Sequence, residues 1–178
     1  MRADTSRHKI ERLMTELGRA VRSPGNVYFT GGVSAVLLGW RDTTMDVDLK
    51  ADPEPAGFFE ALPRLKDAVD INIELACPAD FIPELPGWRE RSLWIAAHGS
   101  LGFYHYDFYS QTLSKIERFH ERDQSDVAQM LLTGLVQRDR LLELFRKIEP
   151  GLIRFPAIDA PTLQRRVIAI ASGSLLNF

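Results

Sequence analysis

A chain of 178 residues is long enough for one compact domain, or for one domain with a helical appendage. Hydrophobic residues make up 45% of the chain and charged residues 26%, and the formal net charge is −2. This composition excludes a disordered or fibrous protein. The single cysteine, Cys77, excludes an internal disulfide, and no Cys or His cluster has the spacing of zinc ligands. We therefore expect a cytoplasmic protein without a targeting segment or a membrane span.

The first part of the chain alternates helical and strand patterns. Apolar residues at steps of three and four predict an amphipathic helix over 6–21. Short apolar or alternating runs predict strands over 27–30, 45–49 and 71–75. Helices are predicted over 33–38 and from Asp52-Pro53 onward, and the second of these should turn four side chains inward: Phe58, Phe59, Leu62 and Leu65.

Two runs over 93–97 and 101–108 flank His98-Gly99-Ser100 and predict a β-hairpin. In this hairpin Tyr104 and Tyr106, like Tyr109 just beyond it, are expected to pack within the sheet rather than stack on a base. Beyond Ser110 the pattern is helical, and Pro161 opens a final helix. The expected fold is an α/β (α+β) mixed sheet with flanking helices over 1–109, followed by a C-terminal helical subdomain over 110–178.

The segment with the clearest chemical meaning is Tyr28-Phe29-Thr30-Gly31-Gly32-Val33-Ser34. Two glycines between a strand and a helix allow backbone N–H groups to approach a triphosphate closely, and the helix N-terminus favours negative charge. Ser34 adds a hydroxyl donor to this candidate nucleotide-binding turn. Trp40 and Arg41 follow the short helix and are further candidates for the border of the pocket.

Fourteen residues after Gly32, the chain presents Asp46-Val47-Asp48-Leu49. Residues i and i+2 of a strand face the same side, so the two carboxylates lie together while Val47 and Leu49 point into the core. Like charges this close repel unless a cation neutralises them, and an all-oxygen pair favours Mg²⁺ or Mn²⁺ over zinc. Asp46 and Asp48 are therefore predicted metal ligands.

A metal site of this kind needs another carboxylate from a neighbouring strand. Glu74 lies between Ile73 and Leu75, in the same apolar–acid–apolar setting as Asp48. Asp70 is the alternative, because steps of two from Glu74 reach Asn72 and then Asp70. The sequence does not decide between Glu74 and Asp70.

These residues resemble the motif of the DNA polymerase β-like nucleotidyltransferase superfamily. Within it, the chain is most similar to the minimal bacterial AbiEii and MenA toxin nucleotidyltransferases, whose Gly-Gly turn and Thr-x-Asp-x-Asp strand are matched at Gly31, Gly32, Thr44, Asp46 and Asp48. The resemblance covers roughly residues 25–135 and implies a minimal nucleotidyltransferase core. It also implies a Mg²⁺-dependent enzyme with Asp46, Asp48 and Glu74 as catalytic residues.

The toxins also carry a downstream lysine and an Arg-Asp pair, which Lys115, Arg122, Asp123 and Asp126 match. The resemblance implies that Lys115 and Arg122 bind the nucleotide. A continuous helix would place Lys115, Arg118 and Arg122 on one face as a triphosphate clamp. Alternatively, Asp123 and Asp126 are the N-cap and first-turn acid of the next helix, which is a structural role.

The expected reaction transfers a nucleotide from an NTP to an acceptor hydroxyl and releases pyrophosphate. By analogy with the toxins, the acceptor is a tRNA or a protein hydroxyl, and a cognate antitoxin is an expected partner. Residues 111–178 carry ten Lys and Arg against eight Asp and Glu. This small positive excess favours an anionic partner. Alternatively, the charged side chains only form the solvated outer surface of the helices. The alternatives are a catalytically inactive nucleotide- or partner-binding module and an antibiotic-modifying nucleotidyltransferase.

Overall fold

The computed structural model describes residues 4–174, and these divide into two compact units. The first contains the chain up to Cys77 together with Ser92–Tyr106, and the second contains Pro78–Arg91 and the chain from Asp107 onward. The structure is therefore mixed α/β, as predicted, with a helical second unit. Over residues 4–174 no helix has both the length and the apolar character needed to cross a bilayer.

A mixed sheet of five strands forms the centre of the first unit. The strands are β2 (Gly25–Phe29), β4 (Asp46–Ala51), β5 (Asn72–Leu75), β6 (Leu93–His98) and β7 (Leu101–His105). Their order in the sheet is β5-β4-β2-β7-β6. The pair β4 and β5 and the pair β2 and β7 are parallel, whereas β4 is antiparallel to β2 and β6 is antiparallel to β7. The predicted strands and the hairpin are confirmed.

One face of this sheet is covered by three helices: α1 (Arg7–Ala20), α2 (Gly32–Leu37) and α3 (Phe58–Val69). The apolar residues of α1 that recur at steps of three and four are all buried, which confirms the predicted amphipathic helix. Val47 and Leu49 are completely buried in the same core. Because strand residues alternate in direction, their neighbours Asp46 and Asp48 must lie on the opposite face of the sheet.

Three details of the predicted elements were wrong. Helix α3 begins at Phe58 rather than near Pro53, and Phe59 is 48% exposed because it falls on the outer side of that helix. Strand β7 ends at His105, since the Asp107 carboxylate accepts hydrogen bonds from the backbone N–H groups of Tyr109 and Ser110 and thereby caps the next helix.

A two-residue strand pair was not predicted. Strand β1 (Thr5–Ser6) pairs antiparallel with β3 (Thr43–Thr44), with Thr5 opposite Thr44. The pairing joins the entry to α1 with the segment that leads into β4. It is too short to leave a periodic pattern in the sequence.

The second unit consists of helices α4 (Trp88–Arg91), α5 (Phe108–Arg118), α6 (Glu121–Leu132), α7 (Arg138–Ile148) and α8 (Ala160–Ala171), with two short 3₁₀ segments. Arg91 reaches the buried Asp107 carboxylate with two nitrogens, at 3.1 and 2.8 Å, and so joins α4 to the start of α5. No sequence pattern indicated that residues 78–91 belong with these helices.

Lys115 and Arg122 lie on two separate helices, so the alternative of one continuous helix was wrong. Helix α5 ends at Arg118, Phe119 adopts a left-handed conformation with φ 58°, and α6 begins at Glu121. Asp123 lies in the first turn of α6, whereas the N-cap position is held by His120. The basic residues 115, 118 and 122 therefore do not share one helix face.

Candidate active site

Two paired strands bring the predicted carboxylates together. In the parallel register of β4 and β5, Asp46 lies beside Asn72 and Asp48 lies beside Glu74. Since the strands are in register, all four side chains project from the face of the sheet opposite the apolar core. Residues 46, 48 and 72 are half-buried and Glu74 is exposed, so the group is open to solvent on one side.

Asn72 connects the two strands of this acidic group. Its Nδ2 donates a hydrogen bond to Asp46 Oδ1 at 2.6 Å and lies 3.5 Å from Glu74 Oε1. An amide donor placed between two carboxylates lowers their mutual repulsion and orients their oxygens. The period of two along β5 places Asn72 on the face of Glu74, but its position beside Asp46 depends on the register between the two strands, so no role was predicted for it.

The two candidates for the third carboxylate occupy different environments. Asp70 lies outside β5, as the left-handed C-cap of α3 with φ 55°. Its carboxylate accepts a hydrogen bond from Lys9 Nζ at 3.0 Å. Glu74 is on the strand and is in register with Asp48. The geometry therefore favours Glu74 as the partner of the two aspartates.

The Gly31-Gly32 turn lies directly against the acidic strand. A Cβ atom on Gly31 would stand 2.8 Å from Asp48 Oδ2. The Gly31 backbone has φ 63° and ψ −132°, a conformation that residues other than glycine rarely adopt. A Cβ on Gly32 would stand 2.1 Å from Thr44 Oγ1. Both glycines are thus needed for the backbone to approach β3 and β4 this closely.

Two cationic side chains border the same region. Arg41 Nη1 lies 3.7 Å from the position of a Cβ on Gly32. Lys50 follows Asp48 by two residues on β4 and therefore projects from the acidic face. Arg41 was predicted only to border the pocket, and Lys50 was not predicted at all, although the alternation of β4 places it on the acidic face.

Ser34 points away from the surface of the turn. It is completely buried, and its hydroxyl lies 2.9 Å from His105 Nδ1 and 3.5 Å from the Phe29 carbonyl oxygen. His105 is 7% exposed, and burial lowers its pKa from about 6.5 to about 4. In this conformation Ser34 holds α2 against β7, and its predicted contact with a nucleotide stays a prediction.

Lys115 lies within a buried ionic cluster of the second unit. Its Nζ atom donates to Asp126 Oδ2 at 2.7 Å and to Asp123 Oδ1 at 3.3 Å, and Arg118 Nη2 reaches Asp123 Oδ1 at 2.9 Å. The two aspartates are 6% and 2% exposed. The cluster connects α5 to α6. This structural role explains why charged residues occupy these positions, and it requires no bound ligand. Arg122 is exposed in the first turn of α6, and its predicted contact with a nucleotide stays a prediction.

The donor chemistry of the acidic face fits a hard divalent cation, since it offers carboxylate and amide oxygens on two adjacent strands and no sulfur or imidazole. No group of three or more Asp, Glu, His or Cys side chains in residues 4–174 is already gathered as metal ligands. Asp46 and Asp48 would hold the cation, and the exposed Glu74 side chain would turn toward Asp48 to join them.

Comparison of the chain with family models, with curated proteins and with solved structures gave no match.

Proposed function

We propose that this protein is a Mg²⁺- or Mn²⁺-dependent nucleotidyltransferase of the DNA polymerase β-like superfamily, which transfers a nucleotide from an NTP to an acceptor hydroxyl. One observation carries the proposal. Asp48 lies between the Gly31 backbone on one side and Glu74 of the adjacent strand on the other. A triphosphate that follows the glycine turn would therefore reach the carboxylates that hold its metal ion.

Several features of the region support triphosphate binding in particular. The two glycines let the turn lie against Asp48 and Thr44, where a side chain on the turn would collide with these two residues. Arg41 and Lys50 provide positive charge at the border of the same face. Carboxylates flanked by cations suit a ligand that is itself a metal–phosphate complex, because each negative group then has a partner of opposite charge.

In the proposed reaction the acceptor oxygen attacks the α-phosphorus of the NTP. The bond from that phosphorus to the bridging oxygen breaks, pyrophosphate leaves, and the hydroxyl proton passes to a carboxylate of the acidic face. A bound divalent cation would neutralise charge on the phosphates and orient the α-phosphate. Asp46 and Asp48 would hold that cation, Asn72 orients Asp46, and Arg41 beside the turn would steady the β- and γ-phosphates.

The test uses purified protein, Mg²⁺, cell extract and NTPs labelled at either the α- or the γ-phosphate. Transfer of a nucleotide places the α-label, and never the γ-label, on the acceptor. Sensitivity of the labelled product to ribonuclease or to protease then separates an RNA acceptor, such as the tRNA expected for a toxin, from a protein hydroxyl. A product resistant to both indicates a small molecule such as an antibiotic.

The alternative of a nucleotide-binding module without turnover gives a different result. Such a module shows saturable NTP binding and no transferred label from any extract. Calorimetry with and without EDTA adds a second criterion, because the clustered aspartates repel a triphosphate unless a cation lies between them. Equal NTP affinity in both conditions would argue against the metal-dependent site itself.

A further inference from the structure

A pocket of about 380 Å³ lies in the first unit, at the end of the sheet where β2 begins. It is formed by the start of β2, by the β6–β7 hairpin and by Pro53, and the residues that matter for its chemistry are Asn26, Trp94, Gly102 and Tyr104. Its volume is in the range of small-molecule sites. None of the residues that line it takes part in the proposed transfer site.

The pocket is separate from the acidic site although it opens on the same face of the sheet. Asn26 and Tyr28 alternate with the buried Val27, so Asn26 projects on the side of Asp48. Asn26 precedes Gly31 by five residues, which corresponds to about 16 Å along an extended strand. A ligand in the pocket therefore leaves room for an NTP at the glycine turn.

The walls of the pocket are aromatic and held in place by their neighbours. The rings of Trp94 and Tyr104 meet edge to face at 5.3 Å, and Tyr104 is stacked on Tyr28 at 5.2 Å. Trp94 lies directly opposite Tyr104 in the antiparallel pairing of β6 and β7, so the two rings project from the same face of the sheet. Trp94 is nevertheless 57% exposed, so most of its ring surface remains available for contact.

Gly102 allows these side chains to converge. A Cβ on Gly102 would lie 2.9 Å from Asn26 Oδ1, 2.9 Å from Tyr104 Cε2 and 3.3 Å from Trp94 Cζ3. The missing side chain thus brings an amide and two aromatic rings to one point over β7. Any larger residue at position 102 would push them apart.

The polar groups of the pocket are available to a ligand. Over the described residues, the Asn26 side-chain amide, the Trp94 indole N–H and the Tyr104 hydroxyl form no hydrogen bond within the protein. Among residues 4–174, no Lys, Arg, Asp or Glu lines the pocket. A neutral pocket with an amide and aromatic faces suits an uncharged planar ring that has hydrogen-bonding edges, and it offers nothing to a phosphate.

We propose that this pocket binds an unpaired nucleobase with its ribose, the base stacking on Trp94 while the Asn26 amide contacts its edge. The inference does not require the transfer reaction, because it follows from the pocket alone. If the transfer reaction also holds, the pocket would bind a base of a single-stranded acceptor, about 16 Å from the glycine turn. Free nucleosides and unpaired bases of a strand offer the same chemistry and are separated by the experiment.

The experiment measures binding of a fluorescent single-stranded oligoadenylate of about eight nucleotides, a typical length for such sites, by anisotropy, with adenosine and ribose 5-phosphate as competitors. We expect adenosine to compete and ribose 5-phosphate to fail. Adenosine affinity measured by calorimetry should not depend on salt, since no charged group lines the pocket. A strand that binds through additional phosphate contacts should show salt dependence where adenosine shows none.

Variants locate the binding. Trp94→Ala should weaken adenosine and oligonucleotide binding by about 5- to 150-fold, the range for loss of one stacked base, and Trp94→Phe should retain most of it. Leu93→Ala, a change at the exposed neighbouring position, is the matched control and should bind normally. Melting curves establish that each variant is folded.

The outcomes separate this inference from the proposed reaction. Asp48→Asn should bind adenosine like the wild type even though it transfers no nucleotide. Wild-type affinity in Trp94→Ala, equal competition by ribose 5-phosphate, or loss of adenosine binding in Asp48→Asn would each overturn the nucleobase pocket. Absence of transfer activity with normal adenosine binding would refute only the transferase.

Discussion

Gly32 lies so close to Thr44 that a Cβ atom on the glycine would stand 2.1 Å from Thr44 Oγ1 and 2.8 Å from Thr44 Cβ. Alanine at the first position of α2 would otherwise be favourable by up to about 1 kcal/mol. Because overpacking costs about 1–3 kcal/mol, we predict that Gly32→Ala lowers the melting temperature and disrupts NTP binding. Denaturant unfolding and calorimetry measure the two effects.

The control for Gly32→Ala is the double variant with Thr44→Gly, which removes both atoms that collide with the new methyl group. The double variant should lose less free energy of unfolding than the sum of the losses in the two single variants. A double-mutant cycle measures this difference. A Gly32→Ala protein as stable and as active as the wild type would show that the close approach is unimportant.

Asp46→Asn and Asp48→Asn should each abolish nucleotide transfer while the protein stays folded. Removing one of two neighbouring like charges relieves repulsion in the metal-free protein, so the melting temperature should be unchanged or higher. Glu54→Gln, an exposed acid just after the same strand, is the control and should keep full activity. Substantial transfer by Asp48→Asn, or unfolding of both aspartate variants, would mean that the pair is structural.

Glu74→Gln should lower kcat by at least about tenfold, whereas Asp70→Asn should leave kcat nearly unchanged. The reason is geometric, since Glu74 is in register with Asp48 while Asp70 caps α3 and accepts a hydrogen bond from Lys9. Asp70→Asn should cost at most about 1 kcal/mol of stability, as expected for a partly exposed ion pair. Steady-state kinetics test the order, and its reversal would place the third carboxylate at position 70.

Lys115→Met should destabilise the protein by about 3–5 kcal/mol, because it leaves the buried carboxylates of Asp123 and Asp126 without their shared cation. Lys147→Met removes a lysine from an exposed pair with Glu143 and should change stability by less than about 1 kcal/mol. Denaturant unfolding of both variants makes the comparison.

Kinetics of the same Lys115 variant test its predicted contact with the nucleotide. If Lys115 binds the triphosphate, the KM for NTP rises more than kcat falls, measured at a temperature where the variant is folded. A folded variant with unchanged KM would leave Lys115 as a structural residue. Unchanged stability would contradict the role of the ionic cluster.

The free energy of unfolding should decrease as the pH is lowered below about 6.5 because of His105, whose pKa in the folded protein is lowered to about 4 by burial. The unfolded chain takes up a proton on this side chain near pH 6.5, and the folded protein does so only near pH 4. The contribution of His105 is therefore complete above about pH 6.5 and is lost progressively toward pH 4. At about pH 5 the expected loss is on the order of 2 kcal/mol.

Denaturant unfolding between about pH 8 and pH 5 measures this dependence. His105→Gln should show a shallower loss of stability than the wild type over that range, while His120→Gln, at an exposed position, should follow the wild type. Parallel curves for His105→Gln and wild type would mean that His105 is protonated in the folded state as readily as in the unfolded chain.

The sequence by itself determined the features that depend on local geometry. The alternation of β4 placed Asp46 and Asp48 on one face, and the period of α1 identified its buried side, because side-chain direction follows from the backbone repeat of each element. The position of Gly31-Gly32 between a strand and a helix was equally readable. These predictions needed no knowledge of what each element contacts.

Only the tertiary structure decided which elements meet. The parallel register of β4 and β5 set Glu74 beside Asp48, and the left-handed cap of α3 separated Asp70 from them. Lys115 is buried and donates hydrogen bonds to Asp123 and Asp126, whereas a lysine on a helix is expected from sequence to be exposed to solvent. Pairing register and burial arise from contacts between residues that are distant in sequence, and no local pattern encodes those contacts.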